Sequence, residues 1–303
     1  MITVIGSINL DLISYCKNLP KKGETIAGDR FVTAPGGKGA NQALAAFRAS
    51  KNNNTVKFFG VVGNDDFAAL ALSEFHKDKI DLSGIKTTNG ATGIANIMVD
   101  ENGHNIITVV AGVNAKIDED MAFAALKNMA EGDILLLNQE IPVIAIKAAL
   151  LQAKKANIIT ILNIAPLIGQ TKELAQMADI IIANESEINS LLANEINSSG
   201  FDKAIKVFAK KANKIIIVTL GEKGAILASP KTYQRFAAPK ITPIDTVGAG
   251  DSFCGYFAAM LNNDATMEQA IEEAVVAGAL ATLKSGAQTS IPYKNAVADF
   301  KRR

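Results

Sequence analysis

The second half of the chain repeats one pattern, in which short apolar runs alternate with longer amphipathic stretches. Four runs are rich in Ile, Leu and Val, at 134–137, 158–162, 180–183 and 215–219. Such runs, without polar alternation, are typical of parallel strands covered on both faces. Helical periodicity follows at 143–156, 171–177, 185–193 and 201–211. This β-α order predicts an α/β fold with a doubly wound, mostly parallel sheet flanked by helices.

The first half has a different pattern. Segments 11–15, 24–33, 91–99 and 105–110 alternate or are β-branched, and Gly, Pro and Asn turns separate them. They predict a small antiparallel accessory sheet. Because no internal repeat or long linker divides the chain, we expect one domain over 1–303, with a lid sheet from about 11–33 and 91–110 that closes over a ligand.

Composition narrows the classes of function. A chain of 303 residues with 49% hydrophobic residues can bury a full core, and a net charge of +1 gives no footprint for nucleic acid or an anionic membrane. No apolar stretch reaches the ~18 residues of a membrane span, and the first residues resemble a strand, so we expect a cytoplasmic protein. The only cysteines, Cys16 and Cys254, are expected to be structural thiols, and His76 and His104 to lie on the surface.

The segment 245–251, DTVGAGD, carries the most informative chemistry. Gly248, Ala249 and Gly250 lack bulky side chains, so their N–H groups can point at an anion, and a helix predicted over 252–261 adds its positive dipole end. A carboxylate would repel a resting phosphate there, so Asp251 fits a general base that deprotonates an attacking hydroxyl. The sequence thus indicates phosphoryl transfer to an alcohol. A glycine-rich turn with Asp251 as N-cap is the alternative.

Polar residues elsewhere suit a polyol. The segment 34–42, APGGKGANQ, lacks the GxxxxGK[ST] spacing of a P-loop, but Asn41, before a helix predicted over 42–49, can donate to and accept from a hydroxyl. Asn9 and Asp11 lie two apart and point the same way in an extended chain. Glu140 follows a strand at its carboxyl end, where ligand sites occur. A simple helix start, an Asx turn and a solvated Glu are the respective alternatives.

Two later segments suit a nucleotide. Asn184 and Glu187 begin a helix directly after a strand, where they could serve nucleotide phosphate and water-held Mg²⁺, or form a capping box alone. The segment 219–224, TLGEKG, ends another strand and could wrap a nucleotide or form a plain hairpin turn.

Taken together, these segments resemble the PfkB family of carbohydrate kinases over nearly the whole chain. The matching elements are GSINLD at 6–11, PGGKGANQA at 35–43, ATGIA at 91–95, NIAP at 163–166, NESE at 184–187, TLGEKG at 219–224, DTVGAGDSFCGYF at 245–257 and KSGAQTSIP at 284–292. The DTVGAGDSF stretch is the most specific for the family. GGKGAN with Asn9, Asp11 and Glu140 narrows the resemblance to members that phosphorylate a pentose.

The resemblance implies ATP-dependent phosphorylation of D-ribose at its 5-hydroxyl, with Asp251 as base and Gly248, Ala249 and Gly250 as the anion hole. The residues implied to hold the sugar are Asn9, Asp11, Gly37, Lys38, Gly39, Asn41, Glu140 and Asp251. Those implied to contact ATP are Asn184, Thr219, Gly221, Glu222, Lys223, Gly224 and Gly250, with Glu187 acting on Mg²⁺ through water.

The resemblance further implies a K⁺ activator and a homodimer formed through the lid sheet. The K⁺ site maps onto Asp245, Val247, Ala281, Lys284, Gly286 and Ser290, largely through backbone carbonyls. Two positions depart from the family pattern. Ile164 replaces the first Pro of Asn-Pro-Ala-Pro, and Val275 stands where a polar residue often lines the adenine pocket, which leaves base selectivity open.

Other functions remain alternatives. A family kinase for deoxyribose, another sugar or a nucleoside would share the base and the anion hole, although the chain has no Trp and only four Tyr to line a base pocket. A sugar sensor without catalytic activity would be expected to lack the base and the anion hole. A nicotinamide oxidoreductase would need a GxGxxG after the first strand, which this sequence does not have.

Overall fold

The structure, a computed structural model, describes residues 1–51 and 55–302. Its strands are β1 Ile2–Ile5, β2 Asn9–Tyr15, β3 Arg30–Gly36, β4 Val56–Gly63, β5 Ile85–Thr88, β6 Gly93–Val99, β7 Asn105–Val110, β8 Ile134–Leu137, β9 Ile159–Asn163, β10 Ile180–Asn184, β11 Ile215–Thr219, β12 Ala225–Ala228 and β13 Tyr233–Phe236.

The α-helices are α1 Lys38–Ala49, α2 Asp66–Ala71, α3 Ser73–Lys77, α4 Glu119–Leu126, α5 Val143–Lys155, α6 Thr171–Met177, α7 Glu185–Leu191, α8 Ala193–Ser199, α9 Phe201–Ala212, α10 Ala249–Asn262, α11 Met267–Ala281, α12 Ala287–Ser290 and α13 Lys294–Lys301. Short 3-10 helices lie at Gly112–Lys116 and Gly221–Lys223. Within the described residues, no helix has the length and apolar character needed to cross a membrane.

Nine strands of the described chain form one large sheet in the order β13-β12-β11-β10-β9-β8-β1-β4-β5. Every neighbouring pair from β5 to β11 is parallel, whereas β12 and β13 pair antiparallel at one edge. The prediction of a mostly parallel sheet flanked by helices is therefore confirmed.

Strand β8 shows why its apolar run has no polar alternation. Ile134 and Leu136 pack into the core that contains residues of α1, α10 and α11. Leu135 and Leu137 point to the opposite face and pack with residues of α4 and α5. Because helices cover both faces, every position of the strand is apolar and buried.

Three predicted helix boundaries are wrong. The helix predicted over 252–261 begins earlier, at Ala249. The helix predicted to begin at residue 42 begins at Lys38, because its early N–H groups find acceptors outside the helix. Lys38 N donates to Glu140 Oε2 at 3.0 Å and Ala40 N to the Ser7 carbonyl at 2.9 Å. The helix predicted over 185–193 is divided at Leu192, which separates α7 from α8.

The small sheet has the order β3-β2-β6-β7, and the prediction that it is antiparallel is wrong in part. β2–β3 and β6–β7 are antiparallel, but β2 and β6 run parallel. A parallel pair is possible because these two strands are not joined by a turn, since elements of the large sheet lie between them in the chain. The strand predicted over 24–33 is also displaced. β3 pairs along the full length of β2, with Tyr15 opposite Arg30 and Asn9 opposite Gly36.

The topology brings the polar segments to one edge of the large sheet. β1 lies between β4 and β8 and is parallel to both, and the chain runs from β1 to β4 and β5 on one side before it crosses to β8 on the other. Such a switch point opens a crevice at the carboxyl ends of the strands. Several residues predicted for the site lie at this edge. Asn184 and Thr219 end β10 and β11, and Glu140 follows β8. Asn9 begins β2, the first strand of the small sheet.

Candidate active site

Asp251 lies in the first turn of α10, the 14-residue helix that follows the glycine-rich loop. Its carboxylate is buried and accepts two amide hydrogen bonds from α1. Asn41 Nδ2 donates to Oδ2 at 2.9 Å, and Gln42 Nε2 donates to Oδ1 at 2.9 Å. The helix N-cap is Gly248, and no side chain caps it. The alternative in which Asp251 acts only as an N-cap is therefore excluded.

The loop before α10 has the geometry of an anion site. Gly248 has a φ of 76°, and a Cβ there would come within 2.9 Å of the Ala287 backbone, so the position suits glycine alone. Gly250 faces open space. The N–H groups in the first turn of a helix have no partner within the helix, and the dipole adds positive potential there. The start of α10 can thus receive a phosphoryl group beside Asp251.

Four charged side chains surround the predicted sugar position. The pKa of Asp11 is raised from 3.8 to about 7, chiefly by burial and then by the neighbouring Glu140 and Asp251, while Lys38 opposes the increase. Asp251, in turn, is the main reason that the pKa of Lys38 is raised. The structure therefore brings together the acidic and basic residues that were predicted to hold the substrate.

Glycines allow the strands to approach these side chains. A Cβ on Gly36 would come within 2.5 Å of the Asp11 carboxylate, and one on Gly37 within 2.7 Å of Asn9 N. Asn9 Oδ1 accepts from Asn114 Nδ2 at 2.8 Å, and Asn114 also bonds Ile8 N and O, each at 3.0 Å. Asn114 was missed because nothing near it in the sequence marks a contact with a residue over 100 positions away.

Asn41 and Glu140 have more specific surroundings than a simple helix start or a solvated side chain. Asn41 is buried, and within the described residues its Oδ1 has no hydrogen-bond partner, so it can accept from a bound hydroxyl. Glu140 is half-buried and accepts from Ser7 Oγ at 2.6 Å as well as from Lys38 N. Gly39 N donates to the same Ser7 hydroxyl at 3.3 Å. The alternative of a freely solvated Glu140 is wrong.

A cleft of about 220 Å³ continues from Asp251 towards the ends of β10 and β11. Its lining comprises Lys38, Asn163, Ala165, Ile182, Asn184, Glu187, Thr219, Thr246, Gly248, Gly250, Asp251 and Cys254. Asn184 lies opposite Thr219 in the register of β10 and β11. The cleft therefore connects residues predicted to contact the nucleotide with Asp251, the predicted general base.

The capping box predicted as the alternative for Asn184 and Glu187 is present. Glu187 N donates to Asn184 Oδ1 at 2.8 Å, and Asn184 N donates to Glu187 Oε2 at 2.9 Å. Both residues also line the cleft, so capping and ligand binding are compatible. The box fixes the first turn of α7 at the cleft wall.

The residues after Thr219 do not lie where the predicted contact with a nucleotide would require. Gly221, Glu222 and Lys223 form an exposed 3-10 turn that joins the antiparallel strands β11 and β12. Gly224 is buried against the backbone of Phe236. None of these four residues lines the cleft as the described residues outline it. The turn interpretation accounts for their conformation.

The two loops predicted to bind K⁺ lie side by side. Asp245 Oδ1 accepts from Val247 N at 3.0 Å, and Oδ2 accepts from Gly286 N at 2.9 Å. Ser290 is buried and donates to the Ala287 carbonyl at 2.9 Å, whereas Lys284 is exposed. Ala281 ends α11. The predicted residues thus belong to one region, packed against the anion loop through Gly248 and Ala287.

Several residues of the site were not predicted. Gln42 and Asn163 stood inside recognised segments, but only the fold shows that Gln42 Nε2 reaches both Asp251 and Asn163 Oδ1, the latter at 3.1 Å. Thr246 and Cys254 line the cleft. Cys16 and Cys254 are buried free thiols, and His76 and His104 are exposed, as predicted.

Comparison with known proteins identifies the family. The model of the family described as pfkB family carbohydrate kinase matches residues 1–294. A ribokinase of Schizosaccharomyces pombe is 34% identical over 301 residues, covering 96% of this chain and 94% of that protein.

Solved structures show the same similarity. The ribokinase of Thermotoga maritima superposes with a TM-score of 0.89 at 33% identity, covering 100% of this chain and 99% of its own. The Arabidopsis thaliana ribokinase, solved with ribose and ATP, has a TM-score of 0.84 at 28% identity, covering 100% and 98%. The chain therefore belongs to the pfkB family of carbohydrate kinases.

Proposed function

We propose that this chain transfers the γ-phosphoryl group of ATP to the 5-hydroxyl of D-ribose, giving D-ribose 5-phosphate and ADP. The observation that carries the proposal is the position of Asp251. This buried carboxylate lies between the Asp11, Asn41 and Glu140 cluster on one side and the cleft that ends at Asn184 on the other. A base at that junction can take the proton of a sugar hydroxyl as it attacks a phosphate.

The residues around Asp251 have complementary roles. Asp251 accepts the proton of the 5-hydroxyl, while N–H groups of Gly248, Ala249 and Gly250 stabilise the charge on the transferred group. Lys38, whose pKa Asp251 raises, stays protonated and lines the cleft, where it can offset phosphate charge. Positioning and electrostatics then supply most of the catalysis, as is usual in phosphoryl transfer.

The sugar would be held by hydrogen bonds from several elements. Asn9 and Asp11 extend from β2, Asn41 from α1, and Glu140 from the end of β8. The unpartnered Oδ1 of buried Asn41 supports this role, because a buried acceptor is costly unless a ligand satisfies it. Gly37, Lys38 and Gly39 complete the proposed site at the start of α1.

The proposal includes Mg²⁺ at Glu187. Within the described residues no group of three or more His, Cys, Asp or Glu side chains could hold a metal ion. That finding fits Mg²⁺, which usually keeps several waters and is held by one or two carboxylates plus substrate phosphates. Glu187 lines the cleft and would act through water. Bound there, Mg²⁺ would neutralise charge on the ATP phosphates.

K⁺ is proposed for the paired loops at Asp245 and Gly286. The fit rests on the Asp245 carboxylate, which accepts hydrogen bonds from Val247 N and Gly286 N and so holds the two loops side by side. Ala281, Lys284 and Ser290 are the other proposed ligands. Bound K⁺ would order the loop that carries Gly248 without touching substrate.

The nucleotide side of the proposal rests on Asn184 and Thr219, which line the cleft, more than on the exposed turn at 221–224. Val275 is buried and apolar. It offers no hydrogen bond to a purine, so the proposed preference for ATP depends on contacts elsewhere.

A homodimer formed through the small sheet is also proposed. All six residues of β7 are exposed, although four of them are apolar, and Phe31 on β3 is 62% exposed. A second copy would cover this face. The same sheet carries Asn9 and Asp11, both proposed to hold the sugar, which supports its proposed role as a lid over the ligand.

The proposed location is the cytoplasm. It is supported by the free thiols Cys16 and Cys254, since free thiols persist in reducing compartments.

The test is ADP release with Mg·ATP and K⁺ across D-ribose, 2-deoxy-D-ribose, D-fructose, adenosine and no sugar, with ³¹P NMR of each product. The proposal expects release to depend on sugar, to be fastest with D-ribose, and to give the 5-phosphate ester. Preference for another acceptor would retain the kinase and reject the assignment of the sugar. No sugar-dependent release would contradict the proposal and favour a silent binding protein.

A further inference from the structure

We propose that Gln42, oriented by Asn163, is a positioning residue for Asp251 in the phosphoryl transfer. The inference rests on the proposed function of Asp251 as the base. It adds two carboxamides that act on the base: Gln42, which does not line the cleft, and Asn163, which lines the cleft and orients Gln42.

The three side chains form one hydrogen-bonded series across three elements. Asn163, the last residue of β9, donates from Nδ2 to the Ile182 carbonyl of β10 at 3.2 Å. Its Oδ1 accepts from Gln42 Nε2 of α1 at 3.1 Å. The same Gln42 nitrogen donates to Asp251 Oδ1 of α10 at 2.9 Å. The series connects the large sheet to the base.

The direction of each amide follows from its fixed end. A backbone carbonyl can only accept, so the Asn163 amide must turn its nitrogen to Ile182 and its oxygen to Gln42. Gln42 then faces two acceptors, Asn163 Oδ1 and the Asp251 carboxylate, and only its NH₂ group can satisfy both. The Gln42 amide is therefore locked as a donor to the base.

Gln42 is placed behind the base rather than in the substrate site. It is fully buried and is not among the residues that line the cleft. Gln42 Oε1 has no hydrogen-bond partner among the described residues. A buried carboxamide oxygen without a hydrogen-bond partner lowers the stability of the fold. In return, Gln42 Nε2 donates a hydrogen bond to the carboxylate of Asp251.

The packing of α1 against α10 makes this reach possible. A Cβ at Gly255, one turn beyond Asp251, would collide with the Gln42 carbonyl and come within 2.6 Å of Ala46 N. Only glycine lets the two helices approach so closely. Gln42 and Asn41 can then place one donor on each oxygen of the Asp251 carboxylate.

A donor on Asp251 matters because of the charges around it. Asp11 from β2 and Glu140 from the end of β8 are negative neighbours, Lys38 from α1 is positive, and Glu187 from α7 and Cys254 from α10 lie along the cleft. Hydrogen bonds to an ionised carboxylate favour the ionised form. Gln42 would thus keep the base ready and fix its orientation towards the attacking hydroxyl.

The experiment compares the full chain with Gln42→Met, Asn163→Ala and the double variant. Gln42→Met keeps length and helix preference but removes the donor. We expect its kcat to fall by about tenfold or more, with KM for D-ribose changed by less than about threefold. A loss confined to kcat is the result expected of a misaligned base, whereas a general loss of packing would raise KM as well.

The double variant separates positioning from structure. If Asn163 acts through Gln42, then Asn163→Ala should lower kcat alone but add little in the Gln42→Met background. Losses that multiply in the double variant would overturn the inference, as would a folded Gln42→Met with unchanged kcat. Should Gln42→Met not fold, Asn163→Ala must lower kcat with little change in the KM for D-ribose or ATP, and an unchanged kcat or a loss confined to the KM for ATP would overturn the inference.

Asp251→Asn in the otherwise unchanged chain tells the two proposals apart. Full activity in that variant would end the role of Asp251 as base and with it this inference. Loss of activity in Asp251→Asn together with normal kinetics in Gln42→Met would leave the proposed function intact and remove only Gln42 from it.

Discussion

The carboxylate of Glu140 accepts a hydrogen bond from the backbone N–H of Lys38 at 3.0 Å, which fixes the start of α1 at the end of β8. A negative group at this position is favoured by the helix dipole. The contact joins two residues that are 102 positions apart in the sequence. It means that a residue proposed to hold the sugar also orients the helix whose side chains hold Asp251.

Asp11 predicts a pH-dependent stability. Burial among like charges raises its pKa from 3.8 to about 7, so between about pH 4 and 7 the folded chain binds more protons than the unfolded chain. Stability must then fall as pH rises through that window. We expect Asp11→Asn to unfold at a higher temperature than the unmodified chain at pH 8, with the difference vanishing near pH 4. The gain in unfolding free energy should reach up to roughly 4 kcal/mol, because each pKa unit is worth about 1.4 kcal/mol.

Thermal unfolding of both proteins across pH 4–8 measures this difference. Asp299→Asn, at a largely exposed carboxyl on α13, is the control and should show no comparable trend. A difference between Asp11→Asn and the unmodified chain that stays constant with pH would contradict the explanation.

The loop contacts of Asp245 predict an activity that depends on K⁺. Replacing a large organic cation by K⁺ at constant ionic strength should raise kcat. Asp245→Ala loses the bonds to Val247 N and Gly286 N, so we expect the K⁺ concentration for half activation to rise about tenfold. Titrations of KCl into steady-state assays give both values, and a flat response in the unmodified chain would remove the cation site.

The exposed face of the small sheet predicts the oligomeric state. Light scattering on a sizing column should give a mass twice the 31.9 kDa of the chain. Phe31→Asp places a charge on that sheet, at an apolar position that is 62% exposed, and should give a monomer. Phe123→Asp is the matched control, because Phe123 is 48% exposed but lies on α4, which packs against the large sheet. Dissociation by both variants, or by neither, would argue against this interface.

How far the sequence could be interpreted depended on whether each signal was local. The apolar run at Ile134–Leu137 contains its own explanation, since burial on both faces leaves no position for a polar residue. The start of α1 could not be placed, because Ser7 and Glu140 supply the acceptors for its first N–H groups. The parallel pairing of β2 with β6 likewise depends on chain far from either strand.

The same distinction between local and distant signals applies to the candidate site. Asp251 and the loop at 248–250 could be assigned a chemistry from their residue types and order. The carboxamide of Gln42 carried no such signal, because its role depends on a contact with a residue 209 positions away. The turn at 221–224 matched a recognised segment, yet its residues are exposed or buried away from the cleft.

The measurement that tests the account most directly is the turnover of Asp251→Asn with D-ribose and Mg·ATP, beside calorimetric titrations of both ligands. The substitution keeps the shape of the side chain and removes the proton acceptor. The account predicts that kcat falls by about 10² or more while ribose and ATP still bind. Turnover close to that of the unmodified chain would contradict the assignment of Asp251 as the base.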